Sequence, residues 1–226
     1  FPEGFFRGQS IVIRATVYVS RKDDAALRKL VAECKDDDAV DDRALGSVTG
    51  ELGRLYADLG KVDQLKALIK DSRKSKVDPR QIEYLESMVV QASLSVGVLF
   101  PDLDVPDLDG KTITLADYAG KVVLVDFWAI WCDPYVSEIP GLLETYGKYK
   151  EKGFKIIGIS LDEKEEPLKE FQEKHGMTWR QYFDGKRWKN EVAKKYGVTS
   201  VPATFLLDGE GRIIAKALRG EELAKA

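Results

Sequence analysis

The chain has 226 residues, of which 44% are hydrophobic and 32% charged, the balance of a folded globular protein rather than a disordered one. Lysine and arginine number 35 against 38 aspartates and glutamates, a net charge of −3. The first 97 residues are charge-balanced, so the basic face of a nucleic-acid binder is not expected. No apolar run approaches the ~20 residues of a membrane span. The chain starts at Phe1 without a signal-like leader and reads as a processed or excised product, which leaves its compartment open. Two cysteines, Cys34 and Cys132, cannot build a disulfide framework. One histidine, His175, with two distant cysteines makes a structural zinc site improbable. Neither a metal nor a cofactor is expected.

The length suits one medium domain with a smaller one. Residues 10–19 alternate, with Ile11, Ile13, Ala15, Val17 and Val19 on one side. That period-two pattern, rich in β-branched residues, predicts a strand, and residues 1–20 are assigned to an N-terminal strand segment. Residues 21–96 read as a small helical domain. Leu27, Leu30, Val31 and Cys34 share one helical face, and Leu45, Val48, Leu52, Leu55 and Leu59 step by threes and fours. Gly60 ends that helix, Val62, Leu65 and Ile69 begin the stripe of the next, and Asp78-Pro79 caps a fourth. Such a bundle serves packing or homo-oligomerisation.

From residue 97 the pattern changes. Thr112–Leu115 follows Asp109-Gly110 as the second arm of a hairpin. Strands are then expected over 122–127, 154–161, 203–207 and 212–217, with helices over 137–151, 167–175 and 189–196. This alternation predicts an α/β fold, a mixed sheet flanked by helices whose last two strands are antiparallel.

The segment Val125-Asp126-Phe127-Trp128-Ala129-Ile130-Trp131-Cys132-Asp133-Pro134-Tyr135 places a cysteine between a strand and a helix. Free N–H groups at a helix start favour the thiolate, the nucleophile of disulfide exchange, although Asp133 opposes that effect. Gly209-Glu210-Gly211 lacks the third glycine of a dinucleotide loop, and His175 before Gly176 reads as a helix end.

Residues 97–226 resemble the thioredoxin superfamily, within it the TlpA-like thiol-disulfide oxidoreductases, or redoxins, of bacteria. Val123–Ala129 matches the strand that leads into the family's site, and Trp131-Cys132-Asp133-Pro134 the first half of its Trp-Cys-x-Pro-Cys motif. Glu138-Ile139-Pro140 matches the following Glu-x-Pro, and Ser200-Val201-Pro202-Ala203-Thr204-Phe205-Leu206 the loop with the cis-proline. The resemblance implies Cys132 as nucleophile, Asp126 as a buried acid that moves protons, and Glu138 as an acid that tunes the site. It also implies substrate contact at Trp131, Asp133, Pro134, Tyr135, Val201 and Pro202, with Val201-Pro202 cis. The family's second cysteine belongs at position 135, where this chain has Tyr135. Without that sulfur a dithiol cycle does not close within the site. Cys34, on an apolar helical face, reads as a core residue.

Two functions are therefore expected of this pattern. One is a redox protein that exchanges disulfides with protein or small-molecule thiols through Cys132 alone and depends on an external reductant. The other is a thioredoxin-fold module that binds extended peptides without catalysis. A peroxiredoxin is disfavoured, because those enzymes carry threonine or serine three residues before their cysteine, where Ala129 stands. The TlpA-like proteins usually work outside the cytoplasm, so a periplasmic or otherwise extracytoplasmic location is expected.

Overall fold

The computed structural model describes residues 3–225, without the side chains of residues 3–7, 221 and 224. The chain divides into two compact units, Phe1–Ser93 and Leu94–Ala226.

The first unit is helical: α1 (Glu3–Ser20), α2 (Asp24–Asp36), α3 (Asp42–Asp58), α4 (Val62–Ser72) and α5 (Pro79–Ser93). The strand expected over residues 10–19 is instead part of α1. Ile11 and Ala15 are buried, and Tyr18 and Val19 pack partly against the same core, which is helical spacing. Val12, Ile13 and Val17 face outward. Packing of that face on α2 and α3 overrides the strand preference of the β-branched residues. Asp23 and Asp41 cap α2 and α3 by accepting from the N–H groups of Ala26 and Ala44. The predicted stripe of α3 is buried from Leu45 to Leu55, whereas Leu59 at its end is partly exposed. Gly53 lets α5 close on α3, since a Cβ there would fall 2.2 Å from Leu85 Cδ2. Cys34 lies in this core as a free thiol, its pKa pushed up mainly by burial.

The second unit begins with the short antiparallel pair β1 (Val105–Pro106) and β2 (Thr112–Ile113). There follow β3 (Val122–Trp128), α6 (Asp133–Tyr149), β4 (Phe154–Ser160), α7 (Glu165–His175), β5 (Arg180–Phe183), α8 (Glu191–Lys195), β6 (Ala203–Leu207), β7 (Ile213–Lys216) and α9 (Gly220–Lys225). The five-stranded sheet has the order β5-β4-β3-β6-β7. β3, β4 and β5 are parallel, and β6 and β7 antiparallel, as the alternation implied. β5 is an element the sequence reading missed. β3 is central and almost wholly buried, which explains its unbroken apolar run. Phe100, Phe127, Tyr196 and Phe205 form an aromatic cluster on one side of it, with Phe100 stacked on Tyr196 at 4.6 Å. The carboxyl ends of β3 and β4 lie side by side, with Trp128 opposite Ser160. In such sheets the loops beyond those ends are where ligands and reacting groups gather.

Candidate active site

Cys132 follows β3 by a turn in which its N–H donates to Ala129 O at 3.1 Å. It is the residue immediately before α6, and its carbonyl accepts from Val136 N–H at 3.0 Å. Pro134 fits the first turn, where its missing N–H leaves no bond unmade. Cys132 is nearly buried, with only 6% exposure. Its Sγ–H points at Val201 O, 3.4 Å away. Val201-Pro202 is a cis peptide, so the two motifs matched from sequence meet across the sulfur.

Asp126 lies in β3 opposite Thr204 of β6 and is 1% exposed. Burial drives its pKa up to about 7, opposed by the hydrogen bond from Tyr135 and assisted by the charge of Glu138. The donor is the Tyr135 hydroxyl, 2.8 Å from Asp126 Oδ2. Asp126 Oδ1 has no partner among the described residues. Tyr135, expected on the substrate surface, is 3% exposed and faces inward. Its ring stacks on Trp128 at 4.9 Å, and burial raises its own pKa well above the usual range. The reason is geometric: position 135 is three residues beyond the cysteine, on the face of α6 that rests on the sheet, and a ring there fills space against Trp128.

Glu138, one turn further, is half-buried and lies 3.9 Å from the Arg219 guanidinium. Arg219 also donates to Pro202 O at 2.9 Å, linking the cis-proline loop to the acid of α6. A second buried carboxylate holds the cysteine loop from the other side. Asp162, just past β4, accepts from Ile130 N–H at 3.1 Å and from the Ser160 hydroxyl at 2.8 Å. Burial raises its pKa, while these hydrogen bonds and Arg187 lower it. Gln181 on β5 accepts from Trp128 Nε1 at 2.9 Å and so fixes the ring on which Tyr135 stacks. Asp133 and Pro134 sit exposed on the first turn of α6, and Trp131 is exposed beside the cysteine.

Sequence reasoning missed Arg219, Asp162 and Gln181. Each is an ordinary polar residue outside any motif, and only the sheet order brings it to the site. The one signal for Asp162 was a polar residue directly after the apolar strand Phe154–Leu161.

A cysteine at the start of a helix, a cis-proline loop facing it and a buried acid beneath it, all on a central mixed sheet, define a thioredoxin-fold thiol-disulfide oxidoreductase. Residues 96–216 match the family model described as the AhpC/TSA family, and the chain belongs to that family. It is 36% identical over 132 residues to the thiol-disulfide oxidoreductase ResA of Bacillus thuringiensis subsp. konkukian, covering 58% of this chain and 74% of that protein. Among solved structures it is similar to the thioredoxin domain of a thiol-disulfide oxidoreductase from Bacteroides vulgatus. There the identity is 39% and the TM-score 0.53, with 58% of this chain and 94% of that chain covered. A thiol:disulfide interchange protein from a Bacteroides species matches with 40% identity and a TM-score of 0.53, over 59% of this chain and 88% of that one.

Proposed function

We propose that the protein exchanges disulfides through the single thiol of Cys132 and relies on a second, external thiol to complete each cycle. One observation carries this reading. Position 135, where a resolving sulfur would stand, holds a buried tyrosine whose hydroxyl is committed to Asp126. The Cys132 thiolate attacks one sulfur of a substrate disulfide, the substrate S–S bond breaks, and the departing thiolate takes up a proton. The mixed disulfide on Cys132 is then attacked by an external thiolate. Attack at Cys132 Sγ releases the second substrate sulfur, which takes up a proton, and leaves the external thiol bound to Cys132; a second external thiolate then removes it as a disulfide and returns the Cys132 thiolate. The substrate disulfide is reduced and the outside thiols are oxidised. Opening the Sγ–H contact to Val201 O frees both the sulfur and a backbone acceptor for an extended substrate strand. Among the described residues Asp126 is linked to this centre through the Tyr135 hydrogen bond, and Glu138 through its charge on Asp126 and through Arg219, which makes both positioning residues.

Intact-protein mass spectrometry after exposure to bis(2-hydroxyethyl) disulfide tests this. The expected product is one adduct on Cys132, stable alone and removed by added dithiothreitol. An unmodified Cys132 would leave the peptide-binding module as the reading. The resemblance to the TlpA-like proteins supports a role outside the cytoplasm, which fractionation of the source cells checks.

A further inference from the structure

The loop after β5 brings a second tryptophan to the reactive cysteine. Trp131 and Trp188 are 38% and 42% exposed, whereas Trp128 and Trp179 are buried. The two exposed rings meet edge to face with centroids 5.6 Å apart. The Arg187 guanidinium lies 5.0 Å over the Trp131 ring. Arg187 itself adopts the left-handed region, φ 50°, a conformation that costs a non-glycine residue of order 1 kcal/mol.

The loop is held rigidly enough to sustain that conformation. Asn190 is fully buried and donates to Ser160 O at 3.3 Å and to Asp184 Oδ1 at 3.0 Å. Asp184 also accepts from the N–H groups of Lys186 and Glu191. Two of the loop's basic side chains are matched locally, Lys186 with Glu191 and Arg187 with Glu163. Between Arg187 and Lys189 the Trp188 ring surface is left open. Two adjacent exposed indoles beside a reacting group mark a contact surface rather than scattered apolar exposure.

We propose that Trp188, with Trp131, is the docking surface for a bulky apolar side chain next to the cysteine of a disulfide-bearing polypeptide substrate. The location rests on Cys132 being the exchanging thiol. The surface is continuous with it, because Trp131 directly precedes Cys132 and Val201 lies against the sulfur. A small hydrophilic thiol has no apolar group to bury there. A rigid indole gives contact area at little cost in conformational entropy, and Arg187 props Trp131 in place.

The test measures binding without exchange chemistry, so it reads independently of Cys132 reactivity. Two octapeptides carry serine in place of cysteine, one flanked by leucine and tryptophan, the other by glycine and serine. Each is titrated into the full chain while the indole N–H signals are followed by NMR. The apolar peptide is expected to bind about tenfold more tightly and to shift the Trp131 and Trp188 signals. Trp188→Ala should bring the two affinities within twofold of each other, and Trp188→Phe should keep most of the preference. Equal affinities in the unmodified protein, undetectable binding of both peptides, or an equal loss for both in Trp188→Ala would each overturn the proposal. Failure of the exchange reading would show separately, as an absent adduct in mass spectrometry.

Discussion

The Tyr135 hydroxyl donates its hydrogen bond to Asp126 Oδ2 at 2.8 Å, deep under the turn that carries Cys132. The carboxylate and the phenol constrain each other. The bond favours the charged carboxylate, whereas burial disfavours it, and the balance leaves Asp126 titrating at about 7. A proton on this buried acid is therefore exchanged near neutral pH, and its loss is felt by the tyrosine that occupies the place of a second thiol.

The first prediction concerns stability against pH. The Asp126 carboxyl is raised from the ~3.9 of an unfolded chain to about 7. Between those values the folded protein holds a proton that the unfolded chain has lost, so stability falls as pH rises from about 4 to about 7 and levels above that. The limiting slope is about 1.4 kcal/mol per pH unit. Asp126→Asn removes this contribution while leaving that of Asp162, which acts in the same direction. The difference in urea-unfolding free energy between the two proteins, measured from pH 4 to 8, should change across this window. A constant difference would contradict the raised carboxyl.

Tyr135→Phe keeps the ring on Trp128 and removes only the donor. Asp126 then has neither oxygen bonded, and its pKa should rise further. Charged hydrogen bonds contribute about 1.5–3 kcal/mol, so the variant should lose that much at pH 8 and less at pH 5, where the acid is protonated. Carbon-13 NMR of the Asp126 carboxyl reads the shift directly. An unchanged midpoint would show that the phenol does not stabilise the charge.

Much of this site was legible in the sequence, and the reasons differ by element. Cys132, the strand before it and Pro202 stand in local motifs, so their meeting followed from a match along the chain. Asp126 was legible through the resemblance alone, as the counterpart of the family's buried acid within the strand before the cysteine. The inward turn of Tyr135 was not, because a tyrosine in the first turn of a helix can face either way until its neighbour Trp128 is fixed by Gln181 from β5. β5 itself was missed: Arg180–Phe183 is short and half polar, and its burial comes from pairing with β4. The α1 misreading has the opposite cause. Its β-branched residues carry a strong local preference, and only packing on α3 shows which period matters.

Gly158 tests how firmly that support is built. A Cβ there would fall 1.8 Å from Gln181 Oε1, the acceptor of the Trp128 indole N–H. Gly158→Ala must displace Gln181 from a packed interior and should cost about 1–3 kcal/mol. Adding Gln181→Ala relieves the clash but leaves the buried Trp128 N–H unpaired, so the double variant should recover only part of the loss. Thermal unfolding of the single and double variants decides this, and full recovery would mean that the Trp128 bond contributes nothing.

Tyr135→Cys asks whether the missing thiol is the limiting defect. Residues 132 and 135 are three apart at the start of α6, a spacing that brings side chains to one face and within disulfide reach. Pro134 already shapes the turn, and loss of the phenol frees Asp126 to face a second sulfur. The exchange removes a buried ring stacked on Trp128, so a stability loss of about 3 kcal/mol is expected in the reduced form, and assays belong well below its unfolding temperature. The variant should form a reversible disulfide between Cys132 and the introduced thiol and catalyse insulin reduction by dithiothreitol faster than the parent chain. The parent should accumulate a Cys132 adduct that only a second thiol removes. Equal insulin reduction by both, with the new disulfide confirmed by mass spectrometry, would show that Tyr135 does not limit turnover and that the constraint lies in access to the buried Cys132 sulfur.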